Sequence, residues 1–312
     1  MRIVSLLSSA TEILFALGLG DQVVAISHEC DYPAEATHLP RATKSLIDSS
    51  RPSQEIDQQV KKLFAAGETL YEIDHALIRG LQPDLIITQA QCDVCAVRYQ
   101  DVIDFVAAET DLAKTKVVAL NPVSLWEIIH TDIFKIAAAT DVMARADQLT
   151  MELYNRYLAI RDCQPRSTVV VAVIEWTEPL MAAGNWTPEL VTAAGGVSVG
   201  AVAGEPSGYF TWLDIVAARP EVLIVAPCGF NLERSLAEAR KLTSLPSYQD
   251  LPAVANRRAF VIDGNAYLNR SGPRIIDTLE ILAHLIQPEI FKPPTGELVE
   301  GRAWARLTAD NP

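Results

Sequence analysis

Short runs of β-branched residues alternate with amphipathic segments along almost the whole chain, and this alternation is the feature that most narrows the possible folds. Such a pattern is produced by parallel strands joined through crossover helices. Arg2–Leu7 reads as a first strand and Ala10–Leu17 as a helix ending at Gly18 and Gly20, with Val23–Ile26 as the next strand. The unit repeats with a helix over Asp74–Leu81, a strand over Leu85–Thr88, a helix over Tyr99–Ala108 and a strand over Lys116–Ala119. A second series begins with a strand over Thr168–Ile174. It continues with helices at Pro188–Ala194 and Trp212–Ala218, a strand at Val222–Ala226, a helix at Leu232–Leu242, a strand at Ala259–Ile262 and a closing helix at Pro273–Ile286.

Between the two series, apolar residues from Leu125 to Tyr157 recur at helical spacing without a glycine or proline. This predicts one long helix over 124–160 joining the halves; the alternative is two helices broken near Thr140-Asp141. The expected organisation is an α/β protein of two Rossmann-like lobes with parallel sheets: a lobe over 1–120, a spine over 121–163, a lobe over 164–290 and a tail over 291–312. The turn chemistry from Pro293 onward predicts a tail laid over the surface.

With 312 residues, 49% of them hydrophobic, the chain can bury more than one core. A formal net charge of −13 argues against a protein that neutralises nucleic-acid phosphates. Glu12 and Asp21 interrupt the most apolar early segment, so no run approaches the roughly 18 uncharged residues of a membrane-spanning helix. Residues 1–7 read directly as a strand, with no basic region or cleavage site. A cytoplasmic location is expected from the chain as written, and a periplasmic one if a leader was removed. Five cysteines, an odd number, do not resemble a secreted disulfide framework. A monomer is expected.

In open parallel sheets, ligands meet the loops at the carboxyl ends of the strands. His28, Glu29 and Cys30 follow the second strand, Cys92 and Cys95 the strand ending at Thr88, and Cys228 the strand ending at Ala226. Thiolates and imidazoles suit zinc, iron or cobalt, and a Cys-x-x-Cys turn presents two sulfurs to one ion. Cys30, Cys92, Cys95, Cys228 and His28 are therefore candidate metal ligands. Thiols lining a ligand pocket, a redox-active pair and simple packing are the alternatives. Glu175 with Trp176, Trp186, Tyr209 with Phe210, and Tyr267 with Arg270 fall on other loops, where aromatic faces and a few polar groups suit a large, partly flat ligand. Cys163, just after the spine, reads as structural.

Several of these loops resemble the periplasmic binding proteins with a rigid helical spine, especially the vitamin B12-binding component of cobalamin uptake systems. The matching pieces are Ser8-Ser9-Ala10-Thr11-Glu12, Asp31-Tyr32-Pro33, Leu81-Gln82-Pro83-Asp84-Leu85-Ile86, Ala218-Arg219-Pro220-Glu221-Val222-Leu223-Ile224 and Asn269-Arg270-Ser271-Gly272-Pro273-Arg274. The resemblance implies two similar lobes with a corrinoid, a related tetrapyrrole or a metal chelate bound between them, Ser9 among the ligand contacts, and no enzymatic activity. It also implies an ABC permease as partner, with Asp74 and Asp214 nearest the docking carboxylates; ordinary helix-start carboxylates are the alternative. The aromatic that precedes Asp31-Tyr32-Pro33 in the B12 binder is replaced here by Glu29. A second reading is a cytosolic metal- or cofactor-binding protein or enzyme that uses the Cys/His/Glu cluster, with Glu29 or Glu175 as general base.

Overall fold

A computed structural model of the chain describes residues 1–91, 94, 96–163 and 167–308. Its packing separates two units: Met1–Arg51, Glu55–Pro122 and Trp126–Glu152 form the first, and Pro52–Gln54, Val123–Leu125 and Leu153 onward the second.

The first unit opens with β1 (Ile3–Ser5), α1 (Ser8–Ala16) and β2 (Val23–Ile26). A small antiparallel pair, β3 (Thr43–Ser45) and β4 (Tyr71–Ile73), flanks α2 (Ser53–Ala65) in the chain. Then come α3 (His75–Leu81), β5 (Leu85–Gln89), α4 (Tyr99–Ala108) and β6 (Lys116–Leu120). The sheet is parallel in the order β2-β1-β5-β6. Val4, Leu6, Ala25, Ile86, Val102 and Phe105 pack one of its faces.

The helical connection is not one helix. A π-helical turn at Glu127–Asp132 leads into α5 (Ile133–Thr140), Asp141 turns left-handed at φ 58°, and α6 (Met143–Arg161) starts afresh. The break at Thr140-Asp141 corrects the single long helix. A short polar side chain that can bond locally tolerates this conformation, so neither glycine nor proline is needed to end α5.

In the second unit β7 (Val169–Thr177) is followed by β8 (Leu180–Ala182), α7 (Thr187–Ala193), β9 (Gly196–Val199), β10 (Gly208–Tyr209), α8 (Trp212–Ala218) and β11 (Val222–Val225). It closes with α9 (Leu232–Ala239), α10 (Pro252–Ala255), β12 (Ala259–Ile262), α11 (Ile275–Ile286) and β13 (Trp304–Arg306). The parallel part has the order β9-β7-β11-β12, matching β2-β1-β5-β6 strand for strand. The sheet is mixed: β8, β10 and β13 enter antiparallel pairings that periodicity did not reveal. The expected surface tail is corrected at β13, which pairs with β12 and buries Ala303, Trp304 and Leu307.

The repeat extends to single residues. Before β5, helix α3 ends at left-handed Gln82, then Pro83 and Asp84; before β11, helix α8 ends at left-handed Arg219, then Pro220 and Glu221. Asp84 Oδ2 accepts from the backbone N–H of Arg2 at 2.7 Å, and Glu221 Oε1 from that of Val170 at 3.1 Å. Each acid thus satisfies the free donor at the start of the neighbouring central strand, while proline prevents the preceding helix from continuing.

Asp132 is the most costly polar group of the first unit. It is 1% exposed; Lys135 Nζ lies 3.2 Å from Oδ1, while Oδ2 has no hydrogen bond among the described residues. Burial pushes its carboxyl up to about 6, against the opposing pull of Lys135. The native state therefore holds this proton over a range where the unfolded chain has lost it, so the stabilising contribution is complete at low pH and declines as pH rises from about 4 through 6. Subtracting the stability–pH curve of D132N from that of the parent should leave a fall of about 2–3 kcal/mol between pH 4 and pH 7. Chemical denaturation across that range measures it, and a flat or rising difference contradicts this account.

Candidate functional site

In the first unit the loops after β1 and β2 are held together by short polar side chains. Thr11 Oγ1 donates to Ser5 Oγ at 2.8 Å and lies 3.1 Å from Cys30 Sγ. Arg41 Nη1 donates to the carbonyls of Ser27 and Cys30 at 2.9 and 2.5 Å. Cys30 is fully buried and Ser9 nearly so, which makes both parts of the loop packing. His28 sits on β3: its backbone N–H donates to Thr43 Oγ1, and Nδ1 lies 2.7 Å from the same oxygen. Its buried Nε2 is 3.2 Å from Glu29 Oε1 but out of line for a hydrogen bond. The Glu29 carboxylate is 44% exposed, and Asp31 and Tyr32 beyond it are exposed as well.

Cys92 and Cys95 lie outside the described residues. Their neighbour Val94 accepts a hydrogen bond from Tyr71 Oη at 2.5 Å, and the Tyr71 ring is 5.3 Å from that of His28. Tyr71 thus links Val94 to His28. Among the described residues no group of three His, Cys, Asp or Glu side chains is placed to hold a metal ion. Cys228, in the second unit, is half-buried and gives its backbone N–H to the Glu175 carbonyl at 3.1 Å. Cys163 is exposed, its thiol 3.2 Å from the Ala159 carbonyl.

The second unit builds an aromatic ledge at the carboxyl end of β7. Ile174 pairs with Ala182 and Trp176 with Met181, so Glu175 is the extra residue of a β-bulge. Met181 in turn pairs with Tyr209 of β10. Paired residues project from the same face of a sheet. Trp176, Met181 and Tyr209 thus form a row opposite the face on which Ile174, Ala182 and Phe210 pack. The bulge creates this row, because without the inserted residue Trp176 would fall on the face of Ile174. Trp176 is half-buried and Tyr209 is 64% exposed.

Behind the ledge the supports are specific. Trp176 Nε1 donates to the Glu178 carbonyl at 3.1 Å, and its ring leans on Phe230 at 5.3 Å, over which the Arg234 guanidinium lies at 3.5 Å. Glu175 accepts from Ser207 Oγ at 2.7 Å. Thr177 and Ser53 donate to Glu238 Oε2 at 2.9 and 2.8 Å, and Lys241 Nζ bridges Glu238 and Glu178 at 2.9 Å each. Burial alone would raise the Glu238 carboxyl, but the bonds from Lys241, Ser53 and Thr177 outweigh it and hold the group below the ordinary carboxylate range.

Other expected contacts are committed to packing. Phe210 belongs to the core face, and Trp186, 7% exposed, donates from Nε1 to the Leu268 carbonyl at 3.0 Å. Tyr267 is 8% exposed in the π-helical turn Gly264–Leu268, and burial pushes its hydroxyl up. Arg270, 5% exposed, is bonded to the Asn265 carbonyl and side chain at 3.0 and 2.8 Å. That turn presses so closely on the loop after β11 that a Cβ at Gly264 would run into the Pro227 carbonyl oxygen. Met181 escaped sequence reasoning because only strand register identifies it. Asp74 caps α3 through the Leu77 N–H, and Asp214 completes a capping box with Thr211; both are exposed, at equivalent points of the repeat.

The comparisons agree with this architecture. A family model described as periplasmic binding protein matches residues 3–266. The chain belongs to the periplasmic binding protein family, whose members are substrate-binding proteins of transport rather than enzymes. It is 25% identical over 283 residues to a vitamin B12-binding protein of Vibrio cholerae, covering 89% of this chain and 86% of that one. It is 22% identical over 303 residues to an uncharacterized ABC transporter substrate-binding lipoprotein of Bacillus subtilis, covering 93% and 81%. Among solved structures, the periplasmic heme-binding protein of Roseiflexus sp. RS-1 matches with a TM-score of 0.69 at 24% identity, covering 92% of this chain and 98% of that one. The periplasmic vitamin B12 binding protein of Vibrio cholerae matches at 0.61 and 21%, covering 92% and 96%. No helix among the described residues is long and apolar enough to cross a membrane.

The Glu238 network makes the ledge sensitive to acid. A carboxylate held below its unfolded value stabilises the fold above that value and loses the contribution as pH falls through the folded one. E238A should cost about 1–2 kcal/mol at pH 7, where it removes the carboxylate that Lys241, Ser53 and Thr177 share, and clearly less at pH 3.5. Urea midpoints at the two pH values measure this; an equal cost at both would remove the charge from the explanation.

Proposed function

We propose that this protein captures a corrinoid, or a closely related metal-bearing macrocycle, and delivers it to the permease of an ABC-type uptake system. The observation that carries this is the Trp176–Met181–Tyr209 row. Three neighbouring strands at about 4.8 Å spacing give a flat apolar ledge about 10 Å across, the scale of a tetrapyrrole ring rather than of a sugar or an amino acid. Similarity to vitamin B12-binding and heme-binding proteins supports the same ligand class. In this role the protein works outside the cytoplasmic membrane.

Charge separates the two macrocycle classes. A carboxylate accepts hydrogen bonds from the amide fringe of a corrinoid, whereas it repels the propionates of a heme. A chain with a formal net charge of −13 adds to that repulsion. Asp74 and Asp214 are the docking carboxylates in this reading. Leu213, beside Asp214, is 75% exposed and supplies the apolar contact that a protein partner would cover.

Titration of the purified protein with cobalamin, cobinamide and hemin, followed by visible spectra and thermal melting, tests the proposal. A spectral shift and a raised melting temperature are expected with a corrinoid and not with hemin, since a ligand that binds the native state stabilises it. W176A should weaken corrinoid binding by about tenfold to a hundredfold, the range of a lost aromatic anchor. The double variant D74K/D214K should keep its affinity within about twofold while uptake by the native host falls at least about tenfold, as for a lost rim-charge interaction. Silence with both corrinoids would overturn the ligand assignment; unimpaired uptake by the double variant would overturn the docking assignment.

A further inference from the structure

At the opposite edge of the second sheet, where β12 begins rather than where β7 ends, the surface carries a concentration of positive charge. A recess of about 550 Å³ is lined by Arg257, Arg258, Arg306, His284 and Asn256. Phe260, Leu285 and Pro288 form its apolar part. No carboxylate lines it, although acidic residues outnumber basic ones by 39 to 26 in the chain.

Each cation is positioned differently. Arg258 Nη2 donates to the carbonyls of Leu285 and Ile286 at 3.1 and 2.6 Å, closing the carboxyl end of α11, and burial holds its guanidinium below the ordinary value. Arg306 faces Phe260 across the β12–β13 pair and binds Glu300 at 2.8 and 3.1 Å. Arg257 stands exposed in the turn after α10, left-handed at φ 55°, and has no ion-pair partner among the described residues. The His284 ring is fixed by Nδ1, which donates to the Phe291 carbonyl at 3.0 Å. Two carboxylates stand nearby: Glu300 is paired with Arg306, and Glu221, which accepts from the Val170 N–H, acts on the Arg258 charge.

We propose that this recess is a second binding site, for a small soluble polyanion bearing at least two phosphate or carboxylate groups. Guanidinium forks match such oxyanions in pairs, and three guanidiniums outnumber the two neighbouring carboxylates, Glu300 and Glu221, leaving an excess of positive charge on the recess. The volume lies within the range of small-ligand pockets and accommodates a molecule of pyrophosphate or citrate size. Because the recess and the Trp176 ledge lie at opposite ends of parallel strands, the two ligands do not compete.

Calorimetric titration of the full chain with pyrophosphate and with citrate, at low and at high salt, tests this. Binding at low salt, weakened by salt, is expected with at least one of them. R257E should reduce that affinity at least tenfold while leaving the melting temperature and corrinoid binding unchanged; R306E should act in the same direction. Absence of binding with both anions, or equal affinity in R257E and R306E, overturns the proposal. Binding to vesicles of phosphatidylglycerol but not phosphatidylcholine, without response to either soluble anion, would reassign the recess to a lipid headgroup and overturn it as a soluble-ligand site.

Discussion

The registration of the two central strands in each unit is the constraint from which everything else follows. Asp84 and Glu221 each bond a backbone N–H at the start of the adjacent strand, directly after a proline that has ended the preceding helix. A parallel pair has no hairpin to set its register, so a side chain that fixes one end fixes the whole ladder. Once β1–β5 and β7–β11 are aligned, the carboxyl-end loops of each sheet are brought level. Function can then be placed on loops without cost to the core beneath them.

Within that frame a single inserted residue does most to define the aromatic ledge proposed as the ligand surface. The bulge at Glu175 turns Trp176 away from the core face and into line with Met181 and Tyr209. The indole is then held from behind by the Glu178 carbonyl and the Phe230 ring. Flat ligands are bound well by surfaces that do not rearrange, because less freedom is lost on binding. A ledge carried by strands and backed by a buried hydrogen-bonded carboxylate at Glu238 meets that condition.

Legibility in the sequence followed the range of the interactions. The α/β alternation and the two Pro-acid turns are local signals, and they were readable as such. The break at Asp141 was not, because its left-handed residue is an aspartate with apolar periodicity on both sides. Strands of two or three residues such as β8, β10 and β13 have no periodicity to detect; they exist because a neighbouring edge offers unpaired backbone groups. The same limit applied to side chains. Trp186, Tyr267 and Arg270 sit on loops, where exposure is the natural expectation, yet the folding of Gly264–Leu268 against the loop after β11 buries all three. Met181 had no distinguishing chemistry of its own and acquires a role only from its cross-strand partners.

The placement of β13 has a consequence for how the chain matures. Trp304–Arg306 pair with β12, so a segment made later than β12 covers its outer edge. Until they arrive, the outer flank of β12 offers open backbone donors and acceptors to any passing strand. A polypeptide cut before Trp304 would display an unfinished, adhesive border along β12.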